Sequence, residues 1–353
     1  MPSELSASEL RRRFANAFQP RPWIYWSDLL VSAGVGWTAF GMGVRVPFGS
    51  FLYVTVTIVA VVALLRAAIF IHELAHLKRG ALPGFEIAWH CVAGLPFMLP
   101  SLMYIGSHAD HHRQATFGTL ADPEYTAIAG WGSLRVAWFV ISVVVVPLLL
   151  ALRWGILGPF SYPILPLRRL VVERASTLVI NPHYRRPLPD GPLAVRWRVQ
   201  EGAAALVFWI SVVCWSVGWL SLRWFFQWYV VAIGVLLINQ LRTLAAHRYD
   251  NDGMPLDATG QLLDSVTLSG WPIPTVFAAP VGLRYHALHH FLPTVPYHSL
   301  GALHRHLLGE LSSDSPYRRT QRSGILTTVH DLLVRQKSRH AEALSAKRAA
   351  GKM

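Results

Sequence analysis

A chain of 353 residues that is 53% hydrophobic and only 14% charged departs from soluble domains, which run about 25% charged, and reads as a membrane protein. Its net charge of +13 comes with no nucleic-acid-binding motif, so the basic residues are assigned to cytoplasmic loops and nucleic acid is set aside as a partner. Cys91 and Cys214 are the two cysteines; both lie in apolar segments without a Cys-x-x-Cys pair, which argues against a disulfide framework and against thiolate metal binding.

Residues 1–24 read as a polar cytoplasmic arm. Arg11, Arg12 and Arg13 without an apolar core do not make a secretory signal. Leu5, Leu10, Phe14 and Phe18 fall near helical spacing, which predicts a short amphipathic helix lying on the membrane surface. A spanning helix needs about 20 mostly apolar residues. The first candidate runs from Leu29 to Val46, with Trp23 and Trp26 as interface anchors. The second runs from Phe51 to Phe70, with Arg66 near enough to its end to snorkel. A loop with Arg45, Pro47 and Gly49 joins them into a hairpin.

The stretch Trp89–Ile105 holds Pro96 and Pro100 and is read as interfacial or re-entrant. Segment 134–166 is ambiguous. Val136–Leu152 is long enough to span, whereas Trp154–Pro166 is broken by Pro159, Pro163 and Pro166. The arginine-rich stretch Arg168–Arg198 reads as a cytoplasmic loop. A second hairpin follows, Ala203–Leu220 and Trp224–Leu241, turning at Arg223. Residues 25–306 thus form the membrane domain, and 307–353 a basic tail. In that tail Ile325, Leu326, Val329, Leu332 and Leu333 predict a helix over 325–350, followed by Arg335, Lys337, Arg339, Lys347 and Arg348.

Histidines carry the chemistry. Three clusters stand out: His72-Glu73-Leu-Ala-His76, His108-Ala-Asp110-His111-His112 and His286-Ala-Leu-His289-His290; His247 follows the last span. Residues three or four apart share a helix face. His72 and His76 therefore point the same way, as do the first two histidines of each His-x-x-His-His box. The third histidine sits about 100° round from the second and can reach a neighbouring ion. So many imidazoles exceed one tetrahedral zinc and suit two ions of higher coordination; iron, zinc, copper and nickel all accept imidazole. The two clear hairpins put the boxes on one side of the bilayer if segment 134–166 crosses twice or not at all.

His72-x-x-x-His76, His108-x-x-His111-His112 and His286-x-x-His289-His290, in that order around two membrane hairpins, resemble the membrane fatty acid desaturase and hydroxylase superfamily, over about residues 25–300. The resemblance implies nine histidines binding two Fe2+ ions, with O2 as co-substrate. His247 matches the ninth ligand, which precedes the third box. In the acyl-CoA desaturases an Asn four residues before that ligand holds a water; here Thr243 stands there. Those enzymes also place four residues between the histidines of the first box. This chain has three, which is similar to the acyl-lipid and sphingolipid branches. The reaction implied is desaturation of a lipid acyl chain, with hydroxylation or ketone formation on a lipid or carotenoid as the alternative.

Carboxylates beside the boxes can take the spare ring N–H of a ligand histidine. The candidates are Glu73, Asp110, Asp122, Glu124, Asp250 and Asp252, with Thr243 added from the comparison above. His90, His183, His298, His304, His306, His330 and His340 belong to no box and read as surface, interfacial or capping groups, with His90 and His298 the exceptions to watch. No haem, iron–sulfur or dinucleotide motif is present, so electrons are expected from a separate carrier such as ferredoxin. Two rivals remain. His72-Glu73-x-x-His76 also fits a zinc protease, although a protease would leave six box histidines idle. A metal transporter or haem-binding membrane protein would need polar groups within the spans, which hold almost none beyond Arg66. The expected architecture is an all-α integral membrane bundle of four spans, or six, with a cytoplasmic helical cap holding the di-metal site, in a bacterial inner membrane. Oligomeric state is not legible.

Overall fold

The computed structural model describes residues 6–350, with side chains through Arg339. Helix dominates, and among the described residues the named strands are two short ones: Thr267–Leu268 pairs in parallel with Gln321–Arg322.

Four helices exceed twenty residues outside the C-terminal tail: Pro22–Arg45, Phe51–His76, Gly191–Ser216 and Leu222–Leu244. Local chemistry sets their starts. Pro22 occupies the first turn, where a missing N–H costs nothing. Ser50 caps the second helix by accepting from the Tyr53 N–H at 3.1 Å. That helix runs past Phe70 to His76, so the first histidine box occupies the last two turns of a span.

By length and apolar composition three of these helices could cross a membrane: Phe51–His76, Gly191–Ser216 and Leu222–Leu244. Pro22–Arg45, which covers most of the Leu29–Val46 span suggested by the sequence, is long but is not among these three. Its Asp28 is paired with Arg66 through bonds of 2.6 and 2.5 Å, and it packs along Phe51–His76 closely enough that a Cβ on Gly36 would meet Leu64 at 2.5 Å. The ambiguous segment becomes a bent pair, Ser133–Val144 and Val146–Ser161, angled by 56°, which would make a fourth crossing if it is one broken span. The stretch after Phe85 forms no long helix. Phe85–Trp89 passes into a π-helical turn at His90–Gly94 before Pro96 and Pro100.

The chain divides into two interleaved units. The span unit, Arg21–Ala109 with Val143–Leu237, holds a core of Met98, Leu102, Met103, Leu150, Trp154, Trp197 and Ala204. It also holds a buried ion cluster in which Glu201 accepts from Arg153 at 2.8 Å, Arg168 at 2.9 Å and Tyr162 at 2.8 Å. The short-helix unit comprises the chain up to Pro20, Asp110–Ser142, and the chain from Ile238 on. Its core joins Leu288, Leu292, Leu300, Leu303 and Leu307 to Leu10 of the N-terminal helix, with Phe14 and Phe18 packed alongside. The predicted amphipathic helix thus turns its apolar face onto protein rather than lipid; Leu5 lies outside the described residues. The C-terminal helix, Ile325–Ala350, packs on the turn Ile128–Gly130, and the side chains of His340, Lys347 and Arg348 lie outside the described set.

Candidate metal centre

In the short-helix unit, the helix His286–Phe291 carries the third box and Ser107–His112 ends in His111 and His112. His247 follows Leu222–Leu244 and is fixed by a bridge to Ser265. Four of these histidines converge. One ligand nitrogen from each of His111, His247, His286 and His290 lies within 4.8 Å of the others, and all four side chains are buried. His286 Nε2 stands 3.0 Å from His247 Nε2 and 3.1 Å from His290 Nε2. Burial, reinforced by the neighbouring imidazoles, holds His286 and His290 well below the ordinary histidine pKa. Buried neutral rings aiming nitrogen at nitrogen are the donor set a borderline divalent cation such as Fe2+ accepts.

Two carboxylates stand beside Nδ1 atoms of the cage. Both Asp122 oxygens lie 3.0 Å from His111 Nδ1, and Asp122 also accepts from the Gly118 N–H at 2.8 Å and the Glu124 N–H at 2.9 Å. Burial alone would pull the His111 pKa down; Asp122 more than offsets it and raises it. Asp264 stands 3.2 Å from His247 Nδ1 and accepts from Tyr125 Oη at 2.9 Å. Burial pulls His247 below its ordinary pKa, with Asp264 opposing. A proton held at Nδ1 leaves Nε2 as the ligating atom. His112 and His289 form a further pair, Nε2 to Nε2 at 3.0 Å.

In the span unit, the rings of His72 and His76 lie 5.0 Å apart on successive turns. His108 comes within 4.7 Å of His72 and 4.8 Å of His76, ring to ring, and Tyr104 stacks on His108 at 4.6 Å. Glu73 is buried, accepts from Tyr25 Oη, and lies 4.0 Å from His72 Nδ1.

The remaining carboxylates proposed beside the boxes are placed elsewhere. Asp110 pairs with Arg113 at 3.1 Å. Asp250 is drawn to Arg248 at 3.3 Å and Arg335 at 3.4 Å. Asp252 is 80% exposed and meets Arg339. Glu124 donates its backbone N–H to Asp122, and its charge helps raise the His111 pKa. The Thr243 hydroxyl accepts from Arg242, and its carbonyl accepts from Tyr249. Asp264, not considered from the sequence, takes the role expected of Asp250. It caps no box, and the fold alone brings the end of the short helix Ala258–Asp264 against His247. Outside the boxes His90 is structural, with Nδ1 2.9 Å from the Glu86 carbonyl and Nε2 accepting from the Ser101 N–H at 3.1 Å. His298 lies 3.1 Å from the Ser299 hydroxyl.

Residues 48–321 match the fatty acid desaturase family. The chain belongs to that family. Within it, the chain is 37% identical over 324 residues to a ceramide hydroxylase of Caulobacter vibrioides (strain NA1000 / CB15N), covering 92% of each chain. This desaturase-family protein is therefore an integral membrane oxidoreductase of the desaturase and hydroxylase superfamily. His72-Glu73-x-x-His76 lies within the residues that match this family.

Proposed function

We propose that this protein is an O2-dependent di-iron hydroxylase of the long apolar chain of a sphingolipid such as ceramide. The observation that carries it is the buried four-nitrogen cage of His111, His247, His286 and His290. The similarity to a ceramide hydroxylase over nearly the whole chain favours hydroxylation over desaturation, and a sphingolipid over a simple fatty acyl lipid.

The four histidines would hold one ion; in the span unit His72, His76 and His108 would serve a second. Bound Fe2+ supplies O2 activation and the oxidising power to break an unactivated C–H bond. The chain's own residues do the rest. Asp122 and Asp264 keep protons on Nδ1 of His111 and His247. Phe117, fully buried, lies 5.2 Å from the His111 ring and 5.3 Å from the His290 ring and helps exclude water. In balance, one C–H and one O2 take two electrons and two protons to give C–OH and water. An external carrier such as ferredoxin delivers the electrons, and the enzyme sits in a bacterial inner membrane with its metals toward the cytoplasm, in keeping with the basic stretch Arg168–Arg198.

The test uses purified full-length protein, ceramide, a reduced ferredoxin and heavy-isotope O2. Two irons per chain and a product gaining one labelled oxygen atom are expected. A product lacking two hydrogens would replace hydroxylation with desaturation, and a single zinc with no O2-dependent product would end the oxidase reading.

A further inference from the structure

The span unit also buries polar groups that the metal centre does not use. Gln227, on Leu222–Leu244, is 1% exposed. Its Nε2 donates to Thr57 Oγ1 at 3.2 Å, while its Oε1 has no hydrogen-bond partner among the described residues. The Tyr53 hydroxyl, in the first turn of Phe51–His76, is likewise buried without a partner there. Lipid tails cannot serve such groups, so each is costly unless an occupant does. The fold nevertheless makes room for the amide: a Cβ on Gly43 would meet Gln227 Nε2 at 2.5 Å.

Both residues line one cavity of about 390 Å³, walled otherwise by Phe48, Leu222, Arg223 and Phe226. That volume lies in the range of small ligand sites. The Phe48 ring meets Tyr53 at 5.0 Å and Phe226 at 5.4 Å, centroid to centroid. Arg223 is exposed, and no acid lines the cavity. The wall thus presents one cation, two neutral oxygens and a patch of hydrocarbon. A guanidinium matches the oxygens of a phosphate. An amide oxygen only accepts, so its partner must bring a donor. Without a carboxylate nearby, a hydroxyl suits these oxygens better than an ammonium.

The cavity stands at the membrane face remote from the first box. Tyr53 and His72 share one unbroken helix, and at 1.5 Å per residue they are about 28 Å apart. That is close to the ~30 Å thickness of the hydrocarbon core. Phe51, Leu222 and Trp219 are exposed at this end, as side chains at headgroup depth are.

We propose that this cavity binds an anionic phospholipid with a hydroxyl-bearing headgroup, drawn from the leaflet opposite the first box. Its phosphate sits on Arg223, its headgroup hydroxyls bond Gln227 Oε1 and Tyr53 Oη, and Phe48, Leu222 and Phe226 flank its glycerol and first acyl carbons. The inference goes beyond the oxidation reaction and does not depend on it.

To test it, delipidated full-length protein in detergent is titrated with phosphatidylglycerol or with phosphatidylcholine of the same acyl chains, and bound lipid is read by native mass spectrometry. The choline head carries a phosphate but no donor, so phosphatidylglycerol should bind roughly tenfold more tightly, the worth of one or two hydrogen bonds. Gln227→Leu should bring phosphatidylglycerol down to the level of phosphatidylcholine. Arg223→Gln should weaken phosphatidylglycerol by about tenfold. Tyr53→Phe should narrow the gap by about threefold while leaving the lipid-free thermal midpoint unchanged, because its hydroxyl bonds nothing in the protein. Should Gln227→Leu fail to fold, the other two variants carry the test. Arg174→Gln, which removes an exposed cation elsewhere, should keep the preference. Equal binding of the two lipids by wild type, or phosphatidylglycerol binding unchanged in the cavity variants, would overturn the inference. Loss of the preference in Arg174→Gln as well would make it a diffuse charge effect and overturn the site.

Discussion

Asp122→Asn offers the sharpest test of how the cage is built. The side chain is fully buried, and its two oxygens meet His111 Nδ1 at 3.0 Å, the Gly118 N–H at 2.8 Å and the Glu124 N–H at 2.9 Å. Asparagine has the same shape and only one acceptor oxygen. Whichever way its amide is turned, the NH2 faces a buried backbone N–H, that of Gly118 or that of Glu124. One charge-assisted bond is lost and one donor is stranded, which costs about 2–3 kcal/mol of stability. His111 also loses the carboxylate that fixes its proton on Nδ1, and losing such a partner typically weakens metal binding by about 10–100-fold. The assay is competition for Fe2+ against a chelator of known affinity, anaerobically, with thermal unfolding measured in the same detergent. Asp252→Asn is the control, since that carboxylate is 80% exposed and its loss should change stability by less than about 0.5 kcal/mol. Wild-type iron affinity in Asp122→Asn, with the control unchanged, would refute the claim that this carboxylate orients the ligand.

Three further outcomes are expected. Glu201→Gln strips the negative charge from between Arg153 and Arg168; Arg153 is 3% exposed, and breaking a buried pair by one partner costs about 3 kcal/mol, seen as a lower thermal midpoint in detergent, so an unchanged midpoint would contradict it. Burial, with Arg284 and Arg305 nearby, pushes the His304 pKa down to about 4 from 6.5. The unfolded chain therefore binds this proton more readily, so the ring's full stability is present above pH 6.5 and is lost as pH falls toward 4. Discounted for solvent screening the loss is about 2 kcal/mol, and His304→Phe should flatten the pH dependence of unfolding over that window. Glu73→Gln keeps an acceptor for Tyr25, so lipid oxidation should fall by less than about tenfold; complete loss in a folded, iron-loaded protein would give the carboxylate a part in the chemistry.

Much of this fold could be read from runs and spacings. Phe51–His76 is apolar up to its box but for Thr55, Thr57 and Arg66, so its helix and the shared face of His72 and His76 follow from local pattern alone. The span count did not follow so directly. Pro22–Arg45 alternates glycine and polar residues with apolar ones, and its Asp28 reads as a surface acid until Arg66 is found opposite it. Carboxylate partners were the least legible. Asp250 lies three positions from His247, yet Arg248 and Arg335 claim it. Asp264 reaches His247 only because a separate helix folds back across it. Ligand identity is written in spacing, whereas ligand orientation depends on which chain segments meet.

The N-terminal helix has a consequence for how the molecule is made. Leu10 shares a core with Leu288 and Leu292 of the third-box segment, and Arg13 reaches Glu310, 297 positions away, at 2.8 Å. This segment thus meets its partner only after the 297 positions between Arg13 and Glu310 have been synthesised. Closing so large a loop is slow, so the arm acts as a clasp fastened late in biogenesis, and a bulky fusion joined directly ahead of it would hinder maturation more than one appended after the tail.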